Sequence, residues 1–358
     1  MNPDPFRLQI EPGNPSEGGK LRGLWFHAGQ LTAPPPRQLS EVPAHLSRGQ
    51  RRGLQRALTE RRRPAPLIVS GGVDLILFCW DRRNRTDLLV MVCKGVEDEV
   101  EAIAVQSGPN DDHSLILRAG PDADTLRTRK ATLFGAGALG GHTAMLLAES
   151  GLGSLKIVDP DVLLPGNVVR HVAGRRQVGA AKVKAVQAVI ADHAPWTEVT
   201  CFQEGPKTPS AIRDRVEDAD IVIDATGNEA LLGSLAMMAK EMDKPLVSGA
   251  LYRGGSISRV QRQVLPADTP IHLRLDSQRY PVIPAGSEGE DFASPQLGCS
   301  APVNNAPPSA VVACASLMAQ AAIDVLTGRF EFTDEVIDVY QPIPEPPFHH
   351  IGKIVLGR

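Results

Sequence analysis

Ala131-Thr132-Leu133-Phe134-Gly135-Ala136-Gly137-Ala138-Leu139-Gly140 decides the fold of this 358-residue chain. A short run that suits a strand passes directly into G-x-G-x-x-G, and His142–Glu149, closed by Gly151, suits a helix behind it. Glycines in such a turn let the backbone approach phosphate, and the helix N-terminus offers unpaired N–H groups to an anion. A strand, a glycine turn and a helix in this order begin a sheet built from parallel crossovers.

Reading onward, Ser154–Val158 is a strand and Asp159 stands at its end, 19 residues beyond Gly140, where a carboxylate can accept hydrogen bonds from ribose hydroxyls. Helices are predicted at Ala180–His193, Pro209–Val216 and Glu229–Met242, alternating with strands at Val199–Phe202 and Asp220–Asp224. Strands at Pro245–Ser248 and Ser256–Leu265 follow without an intervening helix, which predicts a change to antiparallel pairing. Asp276–Gly298 is rich in Gly, Pro and Ser and too long for an ordinary connection, so a functional role is expected of it. A helix of small residues, Ser309–Thr327, and strands near Val336–Tyr340 and Ile351–Leu356 complete the pattern. The expected fold class is α/β, a Rossmann-like doubly wound and mainly parallel sheet over residues 126–358.

Residues 1–125 read as a smaller α+β domain. The lead-in is rich in Pro and Gly, with a short strand at Gly23–His27. Ser47 and Gln50 have the spacing of a capping box for a helix carrying Leu54 and Leu58. Arg48, Arg51, Arg52, Arg56, Arg61, Arg62 and Arg63 make that region basic, which suits either a docking surface for an acidic partner or a solvated helix face. Pro66–Ser70 with Val73–Trp80, Asp87–Cys93 and Val100–Gln106 read as strands of a small sheet.

The net charge of −3 gives no electrostatic case for nucleic acid, and the polar N-terminus has neither the apolar core of a signal peptide nor a membrane span. A soluble, cytoplasmic chain is expected. The five cysteines, Cys79, Cys93, Cys201, Cys299 and Cys314, are odd in number and lack a Cys-x-x-Cys pair, which argues against a disulfide framework and against a structural zinc site.

The residues downstream of the glycine turn choose the nucleotide. Lys156-Ile157-Val158-Asp159-Pro160-Asp161 is followed by Asn167, Arg170 and Lys182. Hydride transfer gains little from cations aimed at the phosphates, whereas displacement at an α-phosphate needs positive charge where oxyanion charge develops. Asp224 ends another predicted strand, at the same edge of the sheet, and suits Mg²⁺, a hard cation that prefers oxygen ligands. No G-x-x-x-x-G-K-[ST] occurs, so the P-loop route to triphosphate binding is absent.

Together the glycine turn, Asp159-x-Asp161, Asn167-x-x-Arg170-His171, Val178-Gly179 with Lys182, and Asp224-Ala225-Thr226-Gly227-Asn228 resemble the activating-enzyme superfamily. That superfamily includes ubiquitin-activating enzymes and the adenylyltransferases of thiamine and molybdopterin biosynthesis. The resemblance covers about Arg127–Gly328. It implies an ATP-binding adenylation domain in which Gly135, Gly137, Gly140 and Asp159 to Asp161 hold the nucleotide. It further implies phosphate contacts by Asn167, Arg170 and Lys182, and Mg²⁺ placement by Asp224. It also implies a homodimer and a substrate that is the C-terminal carboxylate of a ubiquitin-like protein. Thioester capture, for transfer to a conjugating enzyme, needs a thiolate. Cys299 is the candidate, since it follows the long tract as the catalytic cysteine does in compact members of the family. Cys314 sits in an apolar run and reads as core, and strand burial is expected of Cys79, Cys93 and Cys201. The alternative is an adenylyltransferase for a sulfur-carrier protein. Two departures from the family are the missing zinc cysteines and the lack of a unique equivalent for the arginine usually supplied across the dimer, for which Arg118, Arg127 and Arg129 are candidates. The N-terminal domain is similar in placement to accessory modules of bacterial ubiquitin-like conjugation systems.

Overall fold

The computed structural model of the chain describes residues 23–30, 35–61, 74–82, 85–96, 99–105, 107–108, 112–206, 208–274, 277–285, 293–294 and 303–357. The chain divides into two compact units, Met1–Asp111 and Asp112–Arg358.

The first unit contains β1 (Gly23–Gln30), α1 (Arg48–Arg61), β2 (Leu75–Arg82), β3 (Arg85–Val96) and β4 (Glu99–Val105). The strands lie side by side in chain order, with β1 parallel to β2 and the other pairs antiparallel. Alternate residues Ile76, Phe78 and Trp80 turn to one face, where they bury Leu54 and Ala57 of α1 together with Phe26 and Met91. The capping box forms: Ser47 N–H donates to Gln50 Oε1 at 2.9 Å and Gln50 N–H to Ser47 Oγ at 3.4 Å. Arg48, Arg52 and Arg56 are exposed on α1, while Arg51 Nε donates to Leu46 O at 2.9 Å. Arg62, Arg63 and the strand read at 66–70 lie outside the described residues.

The second unit begins with two short helices absent from the sequence reading, α2 (Asp112–Ile116) and α3 (Ala123–Leu126), so residues 112–125 pack with this unit. Then follow β5 (Lys130–Phe134), α4 (Ala138–Glu149), β6 (Ser154–Val158), α5 (Lys182–His193), β7 (Glu198–Phe202), α6 (Pro209–Val216), β8 (Ile221–Asp224), α7 (Glu229–Glu241), β9 (Leu246–Tyr252) and β10 (Ile257–Gln263). After α8 (Ile271–Arg274) come a two-residue pair, β11 (Ala293–Ser294) and β12 (Val303–Asn304), then α9 (Pro308–Leu326), β13 (Glu335–Val339) and β14 (Gly352–Leu356).

The strand order is β14-β13-β10-β9-β8-β5-β6-β7. The five strands from β9 to β7 are parallel, and β10, β13 and β14 add antiparallel pairs. This is the doubly wound sheet expected, with the switch to antiparallel pairing at β9–β10. Helices α4, α5 and α9 bury Leu139, Val183, Val186, Cys314 and Met318 on one face, and α6 and α7 bury Ile212, Val216, Leu235 and Met238 on the other. By length and composition α9 can cross a membrane, but two thirds of its apolar window is buried in the core. The chain leaves β5 in one direction for β6 and β7 and returns on its other side with β8, so the carboxyl ends of β5 and β8 flank the crevice where ligands bind in such sheets.

Two boundaries differ from the sequence reading for physical reasons. Helix α4 starts at Ala138 rather than His142, with Gly141 N–H bonded to Gly137 O at 2.8 Å; close packing against the sheet outweighs the poor helix propensity of Gly140 and Gly141. Helix α5 starts at Lys182 rather than Ala180, because Gly179 and Ala180 spend their backbone groups on Leu163 at 2.9 and 2.8 Å.

Candidate active site

A cavity of about 730 Å³ opens at the carboxyl ends of β5, β6, β8 and β9. Gly135, Gly137, Asp159, Asp161, Asn167, Arg170, Lys182 and Asp224, read from sequence as site residues, all line it.

The glycine turn is built by steric exclusion. Gly135 adopts φ +90°, and a Cβ there would meet Ala225 O at 2.8 Å. Gly137 caps α4, and a Cβ on it would have no neighbour within 4 Å, so its hydrogen keeps the turn open to a ligand. Gly140 is a different case. It is buried away from the cavity lining, and a Cβ would lie 1.8 Å from Gly135 O, so it lets α4 pack against the turn rather than touching a ligand.

Asp159 holds the turn to the neighbouring loop. Its Oδ2 accepts from Ala136 N–H at 2.7 Å and its Oδ1 from Asp161 N–H at 2.8 Å. Burial pushes its carboxyl above the usual range, partly opposed by the Lys182 charge and these two N–H groups. Each oxygen retains acceptor capacity toward a ribose hydroxyl.

Lys182, at the first turn of α5, donates from Nζ to Asp161 Oδ2 at 2.8 Å, both side chains being nearly buried. Asn167 Oδ1 accepts from Leu164 N–H at 3.0 Å, which closes the short 3₁₀ turn ahead of Arg170. Arg170 Nη1 lies 3.4 Å from Ala306 O, just ahead of α9.

His171 was read only as part of a motif, and the fold gives it a structural task. Its Nε2 stands 2.7 Å from Ala136 O and its Nδ1 accepts from Ala173 N–H at 3.0 Å. A carbonyl needs a donor and an N–H an acceptor, so the ring is the neutral Nε2–H tautomer. Burial holds its pKa down to about 4. The ring therefore fixes the glycine turn from behind, and sequence spacing offered no signal for that contact.

Asp224 is buried at the end of β8. Its Oδ1 accepts from Thr226 N–H at 3.1 Å and Thr226 Oγ1 at 2.7 Å, and its Oδ2 from Ser248 Oγ at 2.8 Å. Burial raises its pKa, and no ion pair to it is seen among the described residues. A buried carboxylate facing a cavity without a counter-ion fits a hard cation, which commonly takes one carboxylate and completes its shell with phosphate oxygens and water. Among the described residues no group of three or more His, Cys, Asp or Glu side chains is placed to hold a metal.

Arg118, Arg127 and Arg129 do not line the cavity. Cys299 lies outside the described residues. Cys314 is fully buried with its thiol pushed up to about 12, and burial also raises Cys79 and Cys201. Sequence reasoning missed Ser248, Tyr252, Arg259 and Gln261, which form the cavity wall from β9 and β10. Their signal is the every-other-residue spacing of polar side chains on β10, legible only once the strand's two faces are known.

The chain is 30% identical over 182 residues to the ATP-dependent ubiquitin transferase-like protein Cap2 of Enterobacter hormaechei, covering 50% of this chain and 28% of Cap2. It is 33% identical over 129 residues to the adenylyltransferase and sulfurtransferase uba4 of Emericella nidulans, covering 36% of this chain and 27% of uba4. The chain spans less than half of the length of the curated relatives it matches, 24% to 44%. Among solved structures, E. coli MccB with ATP superposes with a TM-score of 0.50 at 16% identity, over 68% of this chain and 67% of MccB, a likeness of fold. Residues 113–343, more than half of the sequence, match the ThiF family, and the chain belongs to that family.

Proposed function

We propose that this chain binds ATP with Mg²⁺ in the cavity and adenylates the C-terminal carboxylate of a ubiquitin-like protein. One observation carries the reading: Arg170, Lys182 and Asp224 line the same cavity as the glycine turn. A site for hydride transfer has no use for that trio.

Asp159 accepts hydrogen bonds from the ribose, and the open N-terminus of α4 with Gly137 receives phosphate oxygens. A carboxylate oxygen of the carrier attacks the α-phosphorus; the bond from that phosphorus to the bridging oxygen breaks, and pyrophosphate leaves with the electron pair. Lys182 and Arg170, within a partly closed cavity, offset the charge that builds on the phosphate oxygens. Asp224 would hold Mg²⁺, which when bound draws charge from the phosphates.

In the second step a thiolate at Cys299 attacks the carbonyl of the acyl-adenylate, a thioester forms and AMP leaves, ready for transfer to a conjugating enzyme. The burial of Cys314, and the upward shifts of Cys79 and Cys201, support Cys299 as nucleophile by making those thiols poor ones. We further propose that the chain works in the cytoplasm as a homodimer, with Arg118, Arg127 or Arg129 reaching the partner's site.

The match to Cap2 supports a ubiquitin-like carrier, and the match to uba4 supports a second reading, a sulfur carrier. Exchange of labelled pyrophosphate into ATP tests the shared step. It is expected only with a small protein bearing a free C-terminal carboxylate, and exchange that ignores such a protein overturns the proposal.

A further inference from the structure

The cavity is larger than its phosphate-binding half. Its far wall is the antiparallel extension of the sheet, where Arg259 and Gln261 on one face of β10 point into it. Neither residue took part in the reading above, except that the cavity holding them is the one proposed to bind ATP.

Both side chains meet one buried acid, Gln261 by a hydrogen bond and Arg259 by charge pairing. Arg259 Nε stands 3.1 Å from Glu335 Oε1, and Gln261 Nε2 donates to Glu335 Oε2 at 2.8 Å. Glu335 is almost fully buried and also faces Arg274 Nη1 at 3.5 Å. Arg259 Nη2 donates to Pro281 O. What these bonds leave unused is informative. Arg259 also hydrogen-bonds the Tyr252 hydroxyl, yet a guanidinium carries five N–H donors, so donors remain toward the cavity, and Gln261 Oε1 keeps acceptor capacity. Glu335 is shared between Arg259 and Arg274, so Arg259 keeps part of its positive charge beside the cavity while offering it directed hydrogen-bond donors.

A fixed donor and a fixed acceptor, two residues apart on one strand face, match the C=O and N–H of an extended peptide. Register gives the distance. Gln261 is the direct partner of Ser248, whose hydroxyl touches Asp224. Strands lie about 4.8 Å apart and alternate residues about 6.8 Å along a strand, so Arg259 stands roughly 8 Å from Ser248. An extended chain crosses that span in about two to three residues.

We propose that Arg259 and Gln261 form a peptide-group subsite that grips the carrier's tail two or three residues before its reacting carboxylate. Gln261 Oε1 accepts a tail N–H and a remaining guanidinium N–H of Arg259 donates to a tail C=O. The subsite requires an N–H at that position and so refuses proline there. The proposal rests on the adenylation reading.

The test uses synthetic heptapeptides ending in glycine with a free carboxylate, first as a pool and then as an N-methyl scan of whichever peptide stimulates pyrophosphate exchange. In the wild type, N-methylation at one position two or three residues from the end is expected to raise KM about tenfold, the scale of one lost hydrogen bond to a buried acceptor. Gln261→Leu is expected to raise KM for the unmethylated peptide similarly and to be indifferent to that methyl group. Arg259→Gln should raise KM with little change in kcat, and both variants should bind ATP within twofold of wild type, which also shows that they are folded. Peptide-dependent exchange unaffected by the scan in the wild type, or equal in wild type and variants, overturns the subsite alone. No exchange with any peptide or small carrier protein overturns the adenylation reading and the subsite with it.

Discussion

Lys182 Nζ is paired to Asp161 Oδ2 at 2.8 Å with both side chains almost out of solvent. The amine that the proposed mechanism assigns to the phosphates is thus already fixed in place, and a ligand phosphate would share it with a carboxylate. Preorganisation of this kind raises the worth of a single donor, because little reorganisation accompanies the reaction.

Lys182→Met, which keeps the aliphatic stem, is expected to slow carrier-dependent pyrophosphate exchange by about 10²–10³-fold, and Arg170→Ala similarly. Asp161→Asn, which leaves the amine in place, should cost less. Exchange at the wild-type rate in Lys182→Met removes this residue from the mechanism.

Asp224→Asn separates catalysis from stability. Burial raises the native carboxyl pKa above its unfolded value, so the native state holds the proton more tightly and loses stability as pH rises through that window. The asparagine variant lacks this loss. Without nucleotide it should therefore be at least as resistant to urea as wild type at neutral pH, with the gap closing on acidification, while its Mg²⁺ requirement for exchange shifts upward. An unchanged Mg²⁺ titration excludes Asp224 as the ligand.

His171 has the opposite sign in its own terms. Its pKa falls from 6.5 to about 4 on folding, so its contribution is fully present above 6.5 and is lost as pH falls toward 4. Urea midpoints across that range should decline in wild type more steeply than in His171→Gln. At pH 7 the variant should also bind ATP more weakly, because Ala136 loses its support. Parallel pH curves for the two proteins would contradict the assignment.

The glycines of the turn should divide by role. Gly140→Ala places a methyl 1.8 Å from Gly135 O, so loss of stability of at least 1–3 kcal/mol, roughly the scale of overpacking, is expected in urea unfolding. Gly137→Ala meets nothing within 4 Å and should fold normally yet bind ATP less well. A stable Gly140→Ala protein would show that the helix can retreat.

Cys299→Ala should retain carrier-dependent exchange and lose the adduct that reductant removes on nonreducing electrophoresis. Cys314→Ala should retain the adduct, since its thiol is buried and pushed up to about 12. An adduct surviving Cys299→Ala moves the nucleophile elsewhere. Adenylation by the wild type with no adduct at all favours the sulfur-carrier reading.

The alternation of strands and helices, the glycine turn, and the placement of Asp159 and Asp224 on one edge of a parallel sheet were legible in the amino-acid sequence. Those features follow from local periodicity and from the fact that parallel strands all end on the same side. Tertiary structure alone decided that Gly140 packs against Gly135 instead of meeting a ligand, that His171 braces Ala136, and that Arg259 and Gln261 reach the cavity. Each depends on contact between segments far apart in the chain, or on which face of β10 turns inward. A short strand flanked by polar residues carries no local mark of that choice; pairing with β9 and β13 and the burial of Val260 against α9 impose it.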